Sequence, residues 1–154
     1  CRFESDHWYH FRSMKQELYL SPHLIVKASK TEGRGVFSSK NIKKGELIEE
    51  AHMILLNNYK WEECDEELAR YVLPWAELRP DWKDFCDEQG GILQIHASRP
   101  VVVLGFGMIY NHSAGNNINY KVDKSQFICS YRANRDIAAE EELTINYGDE
   151  YLND

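Results

Sequence analysis

A mainly β domain of several small curled sheets, with one helical insert, is the fold this sequence predicts. Three observations point there. Its apolar and β-branched runs are short and evenly interrupted: HLIVKAS at 23–29, PVVVLGF at 100–106, INYKV at 118–122 and QFICSYRA at 126–133. The last two alternate, with Ile118, Tyr120 and Val122 on one face and Phe127, Cys129 and Tyr131 on another. No strand–GxGxxG–helix unit and no P-loop occurs, which disfavours a doubly wound nucleotide-binding fold.

In chain order, Arg12 to Leu20 reads as a short helix in an N-terminal extension, residues 1–21. Pro22 opens the strand 23–29. TEGRGVF (31–37) follows as a polar loop, its two glycines flanking Arg34 and allowing close backbone approach. Lys44-Gly45 marks a turn, and Leu47-Ile48 and Met53–Leu56 read as two short strands. Residues 61–91 differ, because Leu68, Tyr71, Val72 and Trp75 recur at roughly helical spacing. Pro74 and Pro80 break this stretch into short pieces and Gly90-Gly91 closes it, so a helical insert is expected over about 60–91. Strand character returns with ILQIHA (92–97), and Asp123-Lys124-Ser125 is expected to turn a hairpin between the two alternating strands. ELTIN (142–146) is the last strand, with Tyr147 at its end.

The 154 residues suit one domain, and the apolar content of 43% is enough to build a core without staples. No apolar run approaches a membrane span, and no charged-then-apolar leader pattern opens the chain, which starts at Cys1 and so reads as an excised domain. Cys1, Cys64, Cys86 and Cys129 are scattered without C-x-x-C spacing; a cysteine-based zinc site is disfavoured and a reducing intracellular compartment is the plainer reading. A net charge of −7 argues against binding nucleic acid by phosphate neutralisation and is compatible with a basic partner. The acidic run EECDEE (62–67) is either a solvated helix face or part of a footprint for such a partner.

Familiar hydrolytic and metal chemistries find no support. His7 and His10 lie three apart but two ligands do not make a site, and His112 has no histidine or cysteine at ligand spacing, so no metal is expected. Ser113 lies outside any G-x-S-x-G elbow, and Cys129 in mid-strand reads as a buried structural thiol. What remains is a set of three polar segments, TEGRGVF, YNHSAGNN (110–117) and EEELTINYGDEY (140–151).

In this combination and order the segments resemble the SET-domain family of protein lysine methyltransferases. Gly33-Arg34-Gly35-Val36-Phe37 matches the family's G-x-G-hydrophobic-F loop, Asn111-His112-Ser113-Ala114-Gly115-Asn116-Asn117 its N-H-S-x-x-x-N motif, and Glu141-Glu142-Leu143-Thr144-Ile145-Asn146-Tyr147-Gly148 its E-E-L-T-x-[DN]-Y-G motif. The resemblance implies a SET domain over 22–152 with a β-clip fold and a C-terminal pseudoknot beside the N-H-S segment, an exception to the rule against threading. It further implies methyl transfer from S-adenosylmethionine to lysine side chains of a basic protein, a histone tail or another lysine-bearing protein, and a nuclear location in a eukaryote. Direct nucleic-acid binding and membrane attachment are not expected.

By motif match, Gly33, Arg34 and Gly35 would contact the methionine end of the cofactor, and Asn111 and His112 its amino-acid end and adenine. Tyr147 matches the catalytic tyrosine. Tyr110 would be a second channel wall or a core aromatic, and Asn117 a brace for the knot or a turn residue. Ile145, two before Tyr147, would line the substrate channel; having no hydroxyl, it implies methylation beyond the first methyl. Tyr151 would close the channel or pack over the adenine. Three departures stand out: Ala51 where a channel tyrosine is often found, Glu140 where glycine is usual, and Asn116 where proline is frequent, which would leave its turn less rigid. The chain looks like a compact member without cysteine-rich flanking segments. Ala51 and those absent segments favour an alternative, a SET fold that has lost turnover and serves as a protein-interaction module.

Overall fold

The computed structural model describes residues 17–31, 33–56, 71–78 and 98–147, with the backbone course alone for 74–78 and 98–100. Among these residues there are nine strands and no helix: β1 Leu24–Ala28, β2 Arg34–Ser38, β3 Leu47–Leu55, β4 Leu73–Leu78, β5 Ser98–Val103, β6 Asn111–His112, β7 Ile118–Asp123, β8 Ile128–Ala133 and β9 Glu142–Ile145. They form two sheets, ordered β1-β2-β9-β6 and β4-β5-β3-β8-β7. The arrangement is mainly β, in small sheets, as the short interrupted runs predict.

The smaller sheet begins with a hairpin. Gly33 at φ +52° lets the chain reverse, and Ser29 N–H donates to the Gly33 carbonyl at 3.0 Å, so that Ala28 faces Arg34. The segment 31–37 is therefore a loop only at its start; from Arg34 on it is a strand, and from Gly35 to Ser38 every residue is buried. β9 pairs antiparallel with β2 on one side and parallel with β6 on the other, so the last strand lies between two segments far from it in sequence.

The larger sheet contains one long β3 where the sequence suggests two short strands. The gap between Leu47-Ile48 and Met53–Leu56 is filled by Glu49, Glu50 and His52, residues that sequence patterning leaves out of a strand. Tertiary contacts compensate them. Glu49 is buried and accepts from Phe106 N–H at 2.8 Å and Tyr110 Oη–H at 2.7 Å, while a Glu50 carboxylate oxygen accepts from Tyr19 N–H at 3.0 Å. Tyr19–Ser21 in turn lie along β3: Ser21 N–H donates to Ile48 O at 2.9 Å and Glu50 N–H to Tyr19 O at 2.7 Å. The end of the expected 1–21 extension thus lies against β3, joined to it by an isolated bridge at Leu20. The expected helix over Arg12 to Leu20 is not seen at its described end, where residues 17–19 have no regular structure and Leu20 bridges Glu49.

The expected helical insert needs a correction where it is described. Leu73–Leu78 is β4, an edge strand paired with β5, with Pro74 opposite Pro100. Proline lacks the N–H that a central strand needs but is tolerated on an edge. The rest of the 60–91 stretch, and ILQIHA, lie outside the described residues. The β7–β8 hairpin is as expected: Asp123 Oδ1 accepts from Ser125 N–H at 2.9 Å, Ser125 Oγ–H at 2.6 Å and Gln126 N–H at 3.2 Å.

The core is formed by Val36, Ile48, Val103, Tyr110, Ile118, Tyr131, Ile137, Leu143 and Ile145, contributed by both sheets and the connections between them. Cys129 lies within it, and burial pushes its thiol up to about 11, in keeping with an inert structural residue. Glu49 is the exceptional member. Burial raises its pKa above the ordinary 4.5, against the lowering effect of its bonds from Tyr110 and Phe106. The folded chain thus holds this proton more tightly than the unfolded chain. The stability Glu49 contributes is fully present below 4.5 and is lost as pH rises through the raised value. Glu49→Gln, which cannot ionise, is accordingly expected to gain Tm relative to the parent as pH rises across that window. Thermal melts of both chains from acid to neutral pH check this; a constant difference would contradict it.

Candidate active site

The three polar segments of the sequence meet around β9. Leu143 and Glu142 sit opposite Val36 and Phe37 of β2, and Thr144 and Ile145 sit beside Asn111 and His112 of β6. Ser113 N–H donates to Ile145 O at 2.9 Å, continuing the pairing beyond β6.

On the β2 side, Asn111 Nδ2–H donates to the Arg34 carbonyl at 3.1 Å and to Glu142 Oε1 at 2.7 Å, while Ser29 Oγ–H donates to Glu142 Oε2 at 2.9 Å. A Cβ at Gly35 would collide with the Glu142 carboxylate and push it from its place against Asn111 and Ser29. Gly33 has open space beside it, and the Arg34 side chain points outward and is exposed. Glu142 and Ser29 are the residues that sequence reasoning did not single out. Glu142 stands inside a recognised motif, but only the pairing of β2 with β9 shows that its carboxylate meets Asn111.

On the β6 side, His112 Nδ1 accepts from Tyr147 N–H at 3.0 Å, so the neutral ring carries its proton on Nε2. Nε2 is buried and has no hydrogen-bond partner among the described residues. The rings of His112 and Tyr147 lie 5.4 Å apart between centroids. Tyr147 Oη–H donates to the Tyr110 carbonyl at 2.6 Å. Segment 110–112 therefore grips Tyr147 at both its amide and its hydroxyl.

Tyr110 itself is a correction to the channel-wall reading. Its ring is 0% exposed, its hydroxyl is committed to Glu49, and it packs on Tyr131 at 4.8 Å between centroids. Of the two readings the sequence left open, the core aromatic is the one observed. Only its carbonyl reaches Tyr147. Ile145, expected on the substrate channel, is wholly buried and shares a strand face with Leu143, both packed into the core, so its side chain has no open surface for a substrate. Ala51 is also buried, beside Glu49 and Gly105. Tyr151 and Gly148 lie outside the described residues, as does any passage of the chain end through a knot.

Asn117 ties the 111–117 segment to β9. It is 2% exposed, its Oδ1 accepts from Thr144 N–H at 2.8 Å, and its Nδ2–H groups donate to Glu142 O at 2.7 Å and Glu141 Oε1 at 3.2 Å. The side-chain amide thus satisfies β9 backbone groups as a neighbouring strand would. Asn116, in place of the frequent proline, also anchors its turn: Nδ2–H groups donate to Ile118 O at 2.8 Å and Asn119 Oδ1 at 3.0 Å, and its carbonyl accepts from Asn134 Nδ2–H at 3.0 Å. Hydrogen bonds take over the restraint that a ring would supply. Glu140, in the usual place of glycine, adopts φ +65° and pairs with Lys27.

Comparison with known proteins decides the family. The family model described as SET domain matches residues 33–148. The chain belongs to the SET domain family. A curated relative, the H3 lysine-37 specific histone-lysine N-methyltransferase of Schizosaccharomyces pombe, is 27% identical over 128 residues, covering 82% of this chain and 74% of the relative. Among solved structures, a candidate histone methyltransferase of Plasmodium falciparum superposes with a TM-score of 0.57 at 26% identity, covering 82% of this chain and 94% of that one. The match of this SET domain to the family model spans all three segments that the sheets bring together.

Proposed function

We propose that this SET domain is a protein-lysine N-methyltransferase that uses S-adenosylmethionine. The observation that carries the reading is the double grip on Tyr147, from His112 Nδ1 and the Tyr110 carbonyl, with the Asn111–Glu142 contact made by the preceding residue of β6. The residues fit the cofactor's chemistry. His112 Nε2–H is a buried donor without a partner among the described residues, Gly33 leaves space for close backbone approach, and Glu142 places a carboxylate where a cationic group would be welcome. The cofactor supplies a methyl group already activated on a sulfonium, so no metal or covalent enzyme intermediate is called for.

The work left to the chain is alignment and electrostatics. Because the Tyr147 hydroxyl proton points at the Tyr110 carbonyl, the hydroxyl oxygen would meet a polarised methyl or an amine as an acceptor. A tyrosine with an ordinary pKa of about 10 orients and polarises; it is a poor general base. The lysine amine must arrive neutral, and an apolar channel favours that form over the ammonium.

The substrate read here is a lysine-bearing basic protein, with histones favoured by the relative's printed activity and by the net charge of −7. The site of action is then intracellular and, in a eukaryote, nuclear. Transfer of a radiolabelled methyl from the cofactor to histones and to an array of basic proteins, with products resolved by mass spectrometry, tests the reading. Methylated lysine products are expected; no transfer, with no cofactor binding by calorimetry, would refute it. Nothing in the comparisons favours the alternative of an inactive interaction module.

Glu142→Gln sharpens the cofactor assignment. It removes the charge beside Asn111 while keeping the side chain's size, and it is expected to raise the cofactor Kd about tenfold, or about 1.4 kcal/mol. Turnover at saturating cofactor should change little. Calorimetric titration checks this, and an unchanged Kd would remove Glu142 from the site.

A further inference from the structure

The Tyr147 contact rests on a buried acid that the reaction, as described, does not use. Glu49 of β3 is 1% exposed, and no cation among the described residues is paired with it. Its two oxygens are both engaged, Oε1 by Phe106 N–H at 2.8 Å and Oε2 by Tyr110 Oη–H at 2.7 Å. The connection 104–110 is shaped around this carboxylate. Gly105 turns at φ +71°, and a Cβ there would collide with Glu49 Oε1. One carboxylate thus holds an irregular, glycine-containing segment near its start, at Phe106, and at its end, at Tyr110.

Stability gives little reason for this arrangement. A buried carboxylate carries a desolvation penalty that an apolar side chain of similar volume would avoid, and the surroundings, Ala51, Cys129 and Tyr131, are core residues. What the pair does achieve is to fix the main chain of Tyr110. That residue lies outside any strand, and its carbonyl is the acceptor for the Tyr147 hydroxyl at 2.6 Å. We infer that Glu49 and Tyr110 form a positioning pair that sets the orientation of the Tyr147 hydroxyl through the Tyr110 carbonyl. This rests on the methyl-transfer reading and extends it to two side chains buried beneath the site. In-line transfer punishes small errors in placement, so loosening this anchor should show in kcat more than in binding.

The test uses Tyr110→Phe, Glu49→Ala and Glu49→Gln in the full chain, with thermal melts on each. Tyr110→Phe keeps the ring in the core and removes only its bond to Glu49. It is expected to lower kcat about tenfold or more, with cofactor Kd and substrate KM within about twofold. Glu49→Ala should act in the same direction, and Glu49→Gln, which retains polar groups for Phe106 N–H and Tyr110 Oη, should recover most of the loss. Equal falls in all three variants, or none, would overturn the pair while leaving the methyltransferase reading intact. Tyrosine ring-carbon NMR, with Tyr147 assigned through Tyr147→Phe, gives a second readout free of turnover. The Tyr147 resonance is expected to move in Tyr110→Phe and Glu49→Ala and to stay near its parent position in Glu49→Gln. If the parent chain transfers no methyl, the methyltransferase reading fails, and the resonance alone decides: a shift upholds the anchoring of Tyr147, and no shift rejects it.

Discussion

Replacing Tyr147 with phenylalanine is expected to lower kcat about 100-fold or more, a loss of about 2.7 kcal/mol in the transition state, with cofactor affinity nearly intact. The reasoning follows from what the change removes. The phenyl ring keeps its place beside His112, and the residue-147 amide still donates to His112 Nδ1. Asn111, Glu142 and the Gly33 turn are untouched, so the groups proposed to hold the cofactor remain. Only the hydroxyl is lost, with its bond to the Tyr110 carbonyl. One hydrogen bond of this kind contributes about 1 kcal/mol to folding, which predicts a small fall in Tm and a folded protein. Radiolabelled transfer assays beside calorimetric cofactor titrations separate the two quantities. Parent-like turnover in the phenylalanine variant would end the catalytic assignment.

Asn117→Ala is expected to destabilise the chain by about 3 kcal/mol, seen as a Tm lower by roughly 6–12 °C. Its amide makes three bonds to the 141–144 segment from a 2% exposed position. Truncation would leave Thr144 N–H and Glu142 O without those partners in a site with little access to water, and such groups cost about 1–3 kcal/mol each. Asn117→Asp should be no better, because the carboxylate cannot donate to Glu142 O and would face Glu141. The damage should also reach the site, since β9 carries Glu142 and leads to Tyr147. Thermal melts of both variants check this, and a Tm within a degree or two of the parent would reduce Asn117 to a turn residue.

Much of this was legible from residues alone. Gly33 and Gly35 announced a backbone-led loop, and the structure gives each its own reason: a positive φ at Gly33, and room for Glu142 at Gly35. The alternation in 126–133 puts Cys129 and Tyr131 on one face, and both are in the core, because period two reflects the pleat of any strand. The misreadings have a common cause. The sequence suggests two strands in place of β3 because Glu49, Glu50 and His52 look like a break; the partners of the two glutamates, Phe106, Tyr110 and Tyr19, are between 31 and 61 residues away. β4 was read as helix because Leu68, Tyr71, Val72 and Trp75 carry helical spacing, whereas pairing with β5 settles the matter for Leu73–Leu78. Local patterns record local preference, and long-range pairing overrides them.

The sequence by itself determined the family, through three motifs in order, and with it the residues on which the site is built: Gly33, Asn111, His112, Asn117 and Tyr147. Short motifs suffice for this because each encodes a local backbone requirement and a side-chain chemistry. Only the tertiary structure decided what those residues touch. It set β9 between β2 and β6, brought Glu142 against Asn111, turned the Tyr110 ring into the core while leaving its carbonyl for Tyr147, and placed a buried carboxylate beneath them. A hydrogen bond depends on distances of about 3 Å between atoms, and for groups dozens of residues apart that distance is set by how the strands pair.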